Sequence, residues 1–285
     1  MILPIEKLAG KYDVYLNLIK KKQDKSGFIL TEKCDSLLFS GLIGSLPELD
    51  VDITEAYNRS TRLWKRRPLY YEPCYPNHSK STISRDMLLG LAWYSWFNKR
   101  KDIADNIIKT TFEHWGIVGK QKSLEGLSRV IMSPTLLSTF AWISYKLGGP
   151  SRPLLRFPPA IVGYKLEGYR AHLAVLHALL RIKIQKVDTG LPIMHNFYYK
   201  AFDYHQKRQP QNPLYAAASC NNALAIDILL DETLWPSDRL PTTLDRKSSW
   251  LLQKDYGDSW KPEKSWVEHT GGDFLFAAAL VLNKI

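Results

Sequence analysis

The sequence predicts an all-α protein: an α/α toroid with minor β-hairpins and one long tryptophan-rich loop region. Three observations predict it. Six segments are apolar nearly all round, several of them are separated by amphipathic stretches, and strand signals are confined to two short runs. A helix apolar on every side must be buried, whereas an amphipathic helix keeps one wet face. Inner helices ringed by outer helices satisfy both demands. The competing arrangement is an irregular helical bundle or solenoid, because the repeats lack sequence identity.

Taken in order, the first apolar segment is CDSLLFSGLIGSL, 34–46. The second, SRDMLLGLAWYSWF at 84–97, opens on Ser84, a residue type suited to capping a helix N-terminus. KRKDIADNIIKTTFEHWGIV, 99–118, is amphipathic and sets Ile103, Ile107 and Ile108 on one face. MSPTLLSTFAWISYKLG, 132–148, begins with Ser133 as cap and Pro134 at the first helical position, and its glycines mark the end. GYRAHLAVLHALLRI (168–182) is followed by the amphipathic GLPIMHNFYYKAFDYHQKR (190–208) and then by NPLYAAASCNNALAIDILL (212–230). The span 231–268 has little periodicity but carries Trp235, Trp250, Trp260 and Trp266, which argue for order. GGDFLFAAALVLNKI closes the series at 271–285. The strand signals are RRPLYYEPCY (66–75) and SSWLLQKDYG (248–257). No composition break marks a domain boundary, so 1–285 reads as a single domain.

Composition narrows the function classes. Apolar residues are 45% and charged residues 24% of the chain, enough for a sizeable core. Runs such as AAALVL are far too short for the roughly 20 apolar residues of a membrane span. The opening residues carry no basic stretch before an apolar core, so the expectation is synthesis in a cytoplasm without a Sec leader. Cys34, Cys74 and Cys220 form no CxxC pair, and no HExxH is present, so no metal is expected. No GxSxG, phosphate-binding loop or dinucleotide fingerprint occurs, so no cofactor is expected. The formal charge of +11 favours an anionic partner. Its local clusters, KKK at 20–22 and WKRRP at 64–68, match no nucleic-acid-binding motif and read as solvated faces, so nucleic acid is not favoured.

The candidate site is a set of acids at helix starts. Asp35 is followed by Leu38, Phe39 and Leu42, Asp86 by Leu89, Gly90 and Trp93, and Asp273 by Phe276, Ala277 and Leu280. These offsets put each acid on an apolar face, where it must be paired, protonated or aimed into a cavity. The plainer account of each is a first-turn acid that complements the helix dipole. In a toroid the inner N-termini converge, so three such acids would ring a pocket mouth. Two carboxylates flanking a pocket can run glycoside hydrolysis, one donating a proton and one activating water. Arg85 could hold a carboxylate or grip an acidic substrate, or could simply be exposed. His78 and His269 sit in polar loops leading toward Asp86 and Asp273. His172 and His177 lie within an apolar helix and read as core or partner-bonded histidines. Trp93 and Trp266 could stack on sugar rings, although core packing suits Trp93, Trp96 and Trp142 better.

The alternating helices, with the acids in CDSLLF, SRDMLLGL and TGGDFLFAAAL, resemble the six-hairpin (α/α)-toroid glycosidase superfamily, and the motifs look similar to those of phage-encoded proteins. That resemblance covers the helical pattern over most of the chain, which is shorter than most complete six-hairpin enzymes. It implies an active site at the N-terminal ends of the inner helices, on Asp35, Asp86 and Asp273. It also implies a polysaccharide or oligosaccharide partner, acidic if the charge is a guide, and release by lysis or attachment to a phage particle. The alternatives are a polysaccharide lyase, with Arg85 neutralising a uronate and Tyr75 or His78 as base, and a non-catalytic virion or host-interaction protein.

Overall fold

The computed structural model describes residues 3–30, 35–71, 83–123, 126–151, 166, 168–185, 192–242 and 272–285. These are mostly helical, about 60% helix and 7% strand. They fall into two compact units, Met1–Lys22 with Ile161–Ile285, and Gln23–Ala160.

The unit Gln23–Ala160 holds α2 (Ser36–Ile43), α3 (Arg85–Phe97), α4 (Lys101–Glu113) and α5 (Pro134–Lys146). It also holds two antiparallel hairpins, β1–β2 (Tyr57–Asn58, Leu63–Trp64) and β3–β4 (Ile117–Ser123, Gly126–Ile131). Every residue of α2 is buried, and α3 is buried from Met87 to Ser95, as apolar-all-round sequences require. These two helices meet at glycines: a Cβ on Gly90 would lie 2.7 Å from the Leu38 Cα, and one on Gly41 would strike the Gly90 carbonyl. In amphipathic α4, Ile103, Ile107 and Ile108 are buried, as their spacing predicts. Ser133 caps α5 by accepting the Leu136 N–H, with Pro134 at its first position, and the helix ends before Gly148 at φ +83°.

The strands differ from expectation. Leu69–Tyr71 carry no strand, and residues 72–75 and 248–257 lie outside the described residues. The longer hairpin, β3–β4, instead begins at Ile117, so Ile117 and Val118, the last two residues of the predicted amphipathic helix, are strand. That helix stops at Glu113, and the next residues but one, Trp115 and Gly116, are left-handed at φ +54° and +82°.

The other unit holds α1 (Pro4–Lys20), α6 (Gly168–Gln185), α7 (Pro192–Arg208), α8 (Pro213–Ala218), α9 (Asn222–Leu230) and α10 (Gly272–Val281). The single apolar segment expected at 212–230 is two helices. Cys220 breaks it at φ +63°, and Asn221 starts α9 by accepting the Leu224 N–H. The core forms where α1 meets α9 and α10: Tyr15 stacks on Phe274 at 3.9 Å, and Trp235 packs against the same ring at 5.4 Å. Lys11 is buried and pairs with Glu232 at 2.9 Å.

Candidate functional site

Asp35 and Asp86 belong to the same unit and stand at the starts of packed neighbours. Asp35 occupies the N-cap position of α2, one residue outside the helix, yet its side chain makes no capping bond. Arg66 Nη1 donates to it instead, at 3.4 Å, with both side chains largely buried. Arg66 Nη2 donates to Ser84 Oγ at 2.9 Å, and the Arg66 carbonyl accepts the Leu37 N–H at 2.8 Å. One arginine thus ties the start of α2 to the residue preceding α3. Ser84 holds the N-cap position of α3 as expected, but its hydroxyl serves Arg66 and makes no capping bond.

Asp86 lies in the first turn of α3 and is half-buried, whereas Arg85 is exposed. No ion pair joins Arg85 to a carboxylate among the described residues. The cation at this site is Arg66, from the WKRRP cluster that reads as a solvated face in the sequence. Its flanking prolines and aromatics were the available signal that the segment is pinned down.

Asp273 is in the other unit. It is fully buried in the first turn of α10, and its carboxylate accepts the Phe274 N–H at 2.9 Å. Trp93 has no exposed surface and stacks on Phe97 at 5.4 Å, so its ring is core and offers no platform to a sugar. His78, His269 and Trp266 lie outside the described residues, as do Tyr75, Cys34 and Cys74. Cys220 is an exposed free thiol.

The histidines of α6 are core groups, as the apolar helix around them suggests. His172 is buried, stacks on Tyr215 at 4.9 Å and accepts from the Asn212 amide at 2.7 Å. The Asn212 carbonyl oxygen meanwhile caps α8 through Leu214 and Tyr215. His177 keeps some surface, yet burial of its imidazole, and then neighbouring Arg181, push it down to about 3. Burial also brings Arg181 down to about 10. A histidine so shifted stays neutral at ordinary pH and shuttles no proton there.

A concavity sits at the C-terminal end of α4, away from the candidate acids. It measures about 480 Å³ and is lined by Leu63, Glu113, His114, Trp115, Ile117, Gly119, Lys120 and Arg129. Trp115 is 93% exposed at its edge. The feature is hidden in the sequence because the helical pattern continues through residue 118. A Trp-Gly step after the last buried isoleucines was the signal.

Among the described residues, no cluster of three or more His, Cys, Asp or Glu side chains could hold a metal ion. No helix there is long and apolar enough to cross a membrane. Comparison with family models, with curated proteins and with solved structures returns no match.

Proposed function

We propose that this protein is a carbohydrate-active hydrolase that cleaves a polysaccharide through Asp86 and Asp35, on a scaffold of α/α-toroid type. The observation that carries the reading is the Arg66 tie, which brings two acid-bearing helix starts beside one another. The presence of enclosed helices α2, α3 and α5 beside amphipathic α4 supports the scaffold.

The roles follow from the surroundings. Asp35, held by a guanidinium, suits the ionised task of activating water. Asp86 is half-buried and has no ion-pair partner among the described residues, which suits delivery of a proton to the departing glycosidic oxygen. Asp273 is fully buried and belongs to the other unit, so the reading rests on Asp86 and Asp35 alone.

The test is cleavage of a panel of neutral and acidic polysaccharides, read by new reducing ends. Asp86→Asn should lower the rate by about 10²–10⁴-fold, the usual worth of a general acid, with an unchanged circular-dichroism spectrum. Asp86→Asn with wild-type cleavage would refute the assignment. An unsaturated, ultraviolet-absorbing product would replace hydrolysis with a lyase reaction.

A further inference from the structure

The concavity at the end of α4 holds an aromatic ring that packs against little. Trp115 is 93% exposed, although tryptophan is highly buried on average. Its backbone sits at φ +54°, a left-handed conformation that suits glycine and seldom a bulky residue. Strain held at such a position, for a side chain that contributes so little to the core, points to function. Trp93, the tryptophan expected to meet a sugar, is wholly enclosed, whereas the Trp115 ring is open to solvent.

The lining says what fits beside the ring. Its volume of about 480 Å³ lies within the roughly 300–1,000 Å³ of small-ligand sites. Leu63 and Ile117 supply apolar surface, and Glu113, His114 and Arg129 supply planar polar groups. Glu113 accepts from Arg62 Nη1 through its two oxygens, at 3.2 and 3.1 Å, and a carboxylate with about four lone-pair sites has acceptor capacity left. Arg129 is exposed, and no ion pair holds it among the described residues. His114 is exposed as well, and its ring can donate or accept. A pyranose has an apolar C–H face and a rim of hydroxyls that need both donors and acceptors, which is the combination this lining offers.

We propose that this concavity is a glycan-binding subsite separate from Asp35 and Asp86, in which a sugar ring of the polymer stacks on the Trp115 indole and its hydroxyls bond Glu113, His114 and Arg129. A nucleic-acid strand fits less well, because its phosphates would meet the Glu113 carboxylate. A second contact of this kind raises the effective concentration of a long substrate at the acids. The polymer is taken from the hydrolase reading, and to that extent the inference rests on it; the ring and its lining stand on their own.

Native electrophoresis in gels cast with starch, xylan, alginate or hyaluronan tests it, since binding slows migration and needs no cleavage. At least one polymer should slow the wild type, and Trp115→Gly should weaken that binding about tenfold or more, the scale of a lost tryptophan anchor. Because glycine accepts the left-handed backbone, the melting temperature of that variant should not fall, so lost binding would not be lost folding. Trp115→Phe, which keeps an aromatic face, should retain more of the binding than Trp115→Gly. The bound polymer should also shield tryptophan fluorescence from acrylamide in the wild type, and that protection should be missing in Trp115→Gly. No retardation by any of the four polymers, equal retardation of Trp115→Gly and wild type, or a labelled oligothymidylate that binds through Trp115 in place of the polymers would each overturn the proposal. Retardation without new reducing ends would leave it standing and remove the hydrolase. New reducing ends without Trp115-dependent retardation would do the reverse.

Discussion

The contact between α2 and α3 allows a sharp test, because it is backbone against backbone. A methyl group added at Gly90 would stand 2.7 Å from the Leu38 Cα and 2.8 Å from the carbonyl oxygens of Leu37 and Leu38. Carbon atoms in good contact are about 3.5–4.0 Å apart, so the shortfall is about 1 Å. None of the three atoms belongs to a side chain that could swing away. The helices must separate, and fully buried residues such as Leu88, Leu91 and Leu42 lose close packing. Overpacking of this sort costs about 1–3 kcal/mol, against which alanine's better helix propensity returns about 0.5–1 kcal/mol. Gly90→Ala should therefore destabilise the protein by roughly 1–2 kcal/mol. Gly10, exposed in α1 with nothing within 4 Å of its Cβ position, provides the contrast. Gly10→Ala should stabilise by about 0.5–1 kcal/mol. Urea denaturation measures both, each shift in midpoint being read at unchanged slope. If Gly90→Ala proved as stable as wild type, the close crossing would be wrong. In that case α2 and α3 would not hold Asp35 and Asp86 side by side.

Two further predictions concern titrating groups. Burial works against ionised Glu232, but hydrogen bonds from Ser237 and Lys11 outweigh it and set its carboxyl below the usual range. Its stabilising contribution is present above the unfolded-state value and is lost as pH falls through the lower folded value, so acid titration of Glu232→Gln should lack that component. The same variant leaves Lys11 buried without its partner, while Lys11→Met, which removes the buried charge, should be neutral or stabilising; urea midpoints across the acid range check both. Burial pushes Tyr70 up to about 12, with Ser26 and Asp24 bonded to its hydroxyl at 2.6 and 2.9 Å. The raised value means that stability present below pH 10 declines between about 10 and 12. Tyr70→Phe should remove that decline in thermal melts over the alkaline range, and an unchanged decline would assign it to another group.

Helices with strong signals were legible in the sequence. Ser133-Pro134 starts α5 as capping chemistry demands, and the three isoleucines of α4 fall on one buried face. Failures arose where a local rule had a tertiary competitor. Ser84 is a good cap by type, but a guanidinium from a distant loop claims its hydroxyl. Asp35 reads as part of a helical face, yet it is the residue before the helix and is paired outside it. At 212–230 the alanines favour one continuous helix, and only the left-handed Cys220 and the Asn221 cap divide it. The β3–β4 hairpin escaped because its register shifts between Ile117 and Gly119, which spoils the alternation that signals a strand. For the site, acids at helix starts were visible, but the arginine that organises two of those starts lay in a charge cluster that pattern alone could not distinguish from surface.

The pairing of α1 with α9 and α10 has a consequence for synthesis. The ribosome completes α1 about 200 residues before α9 begins. At 5–20 residues per second that is a delay on the order of 10–40 s. Throughout it, the face bearing Leu8, Tyr12, Tyr15, Leu16 and Ile19 has no native partner from α9 or α10. Meanwhile Gln23–Ala160 emerges whole and can collapse on its own core. The nascent chain therefore carries an amphipathic helix with an orphaned apolar face ahead of a folded body, the form in which a holdase such as a ribosome-associated chaperone meets its clients.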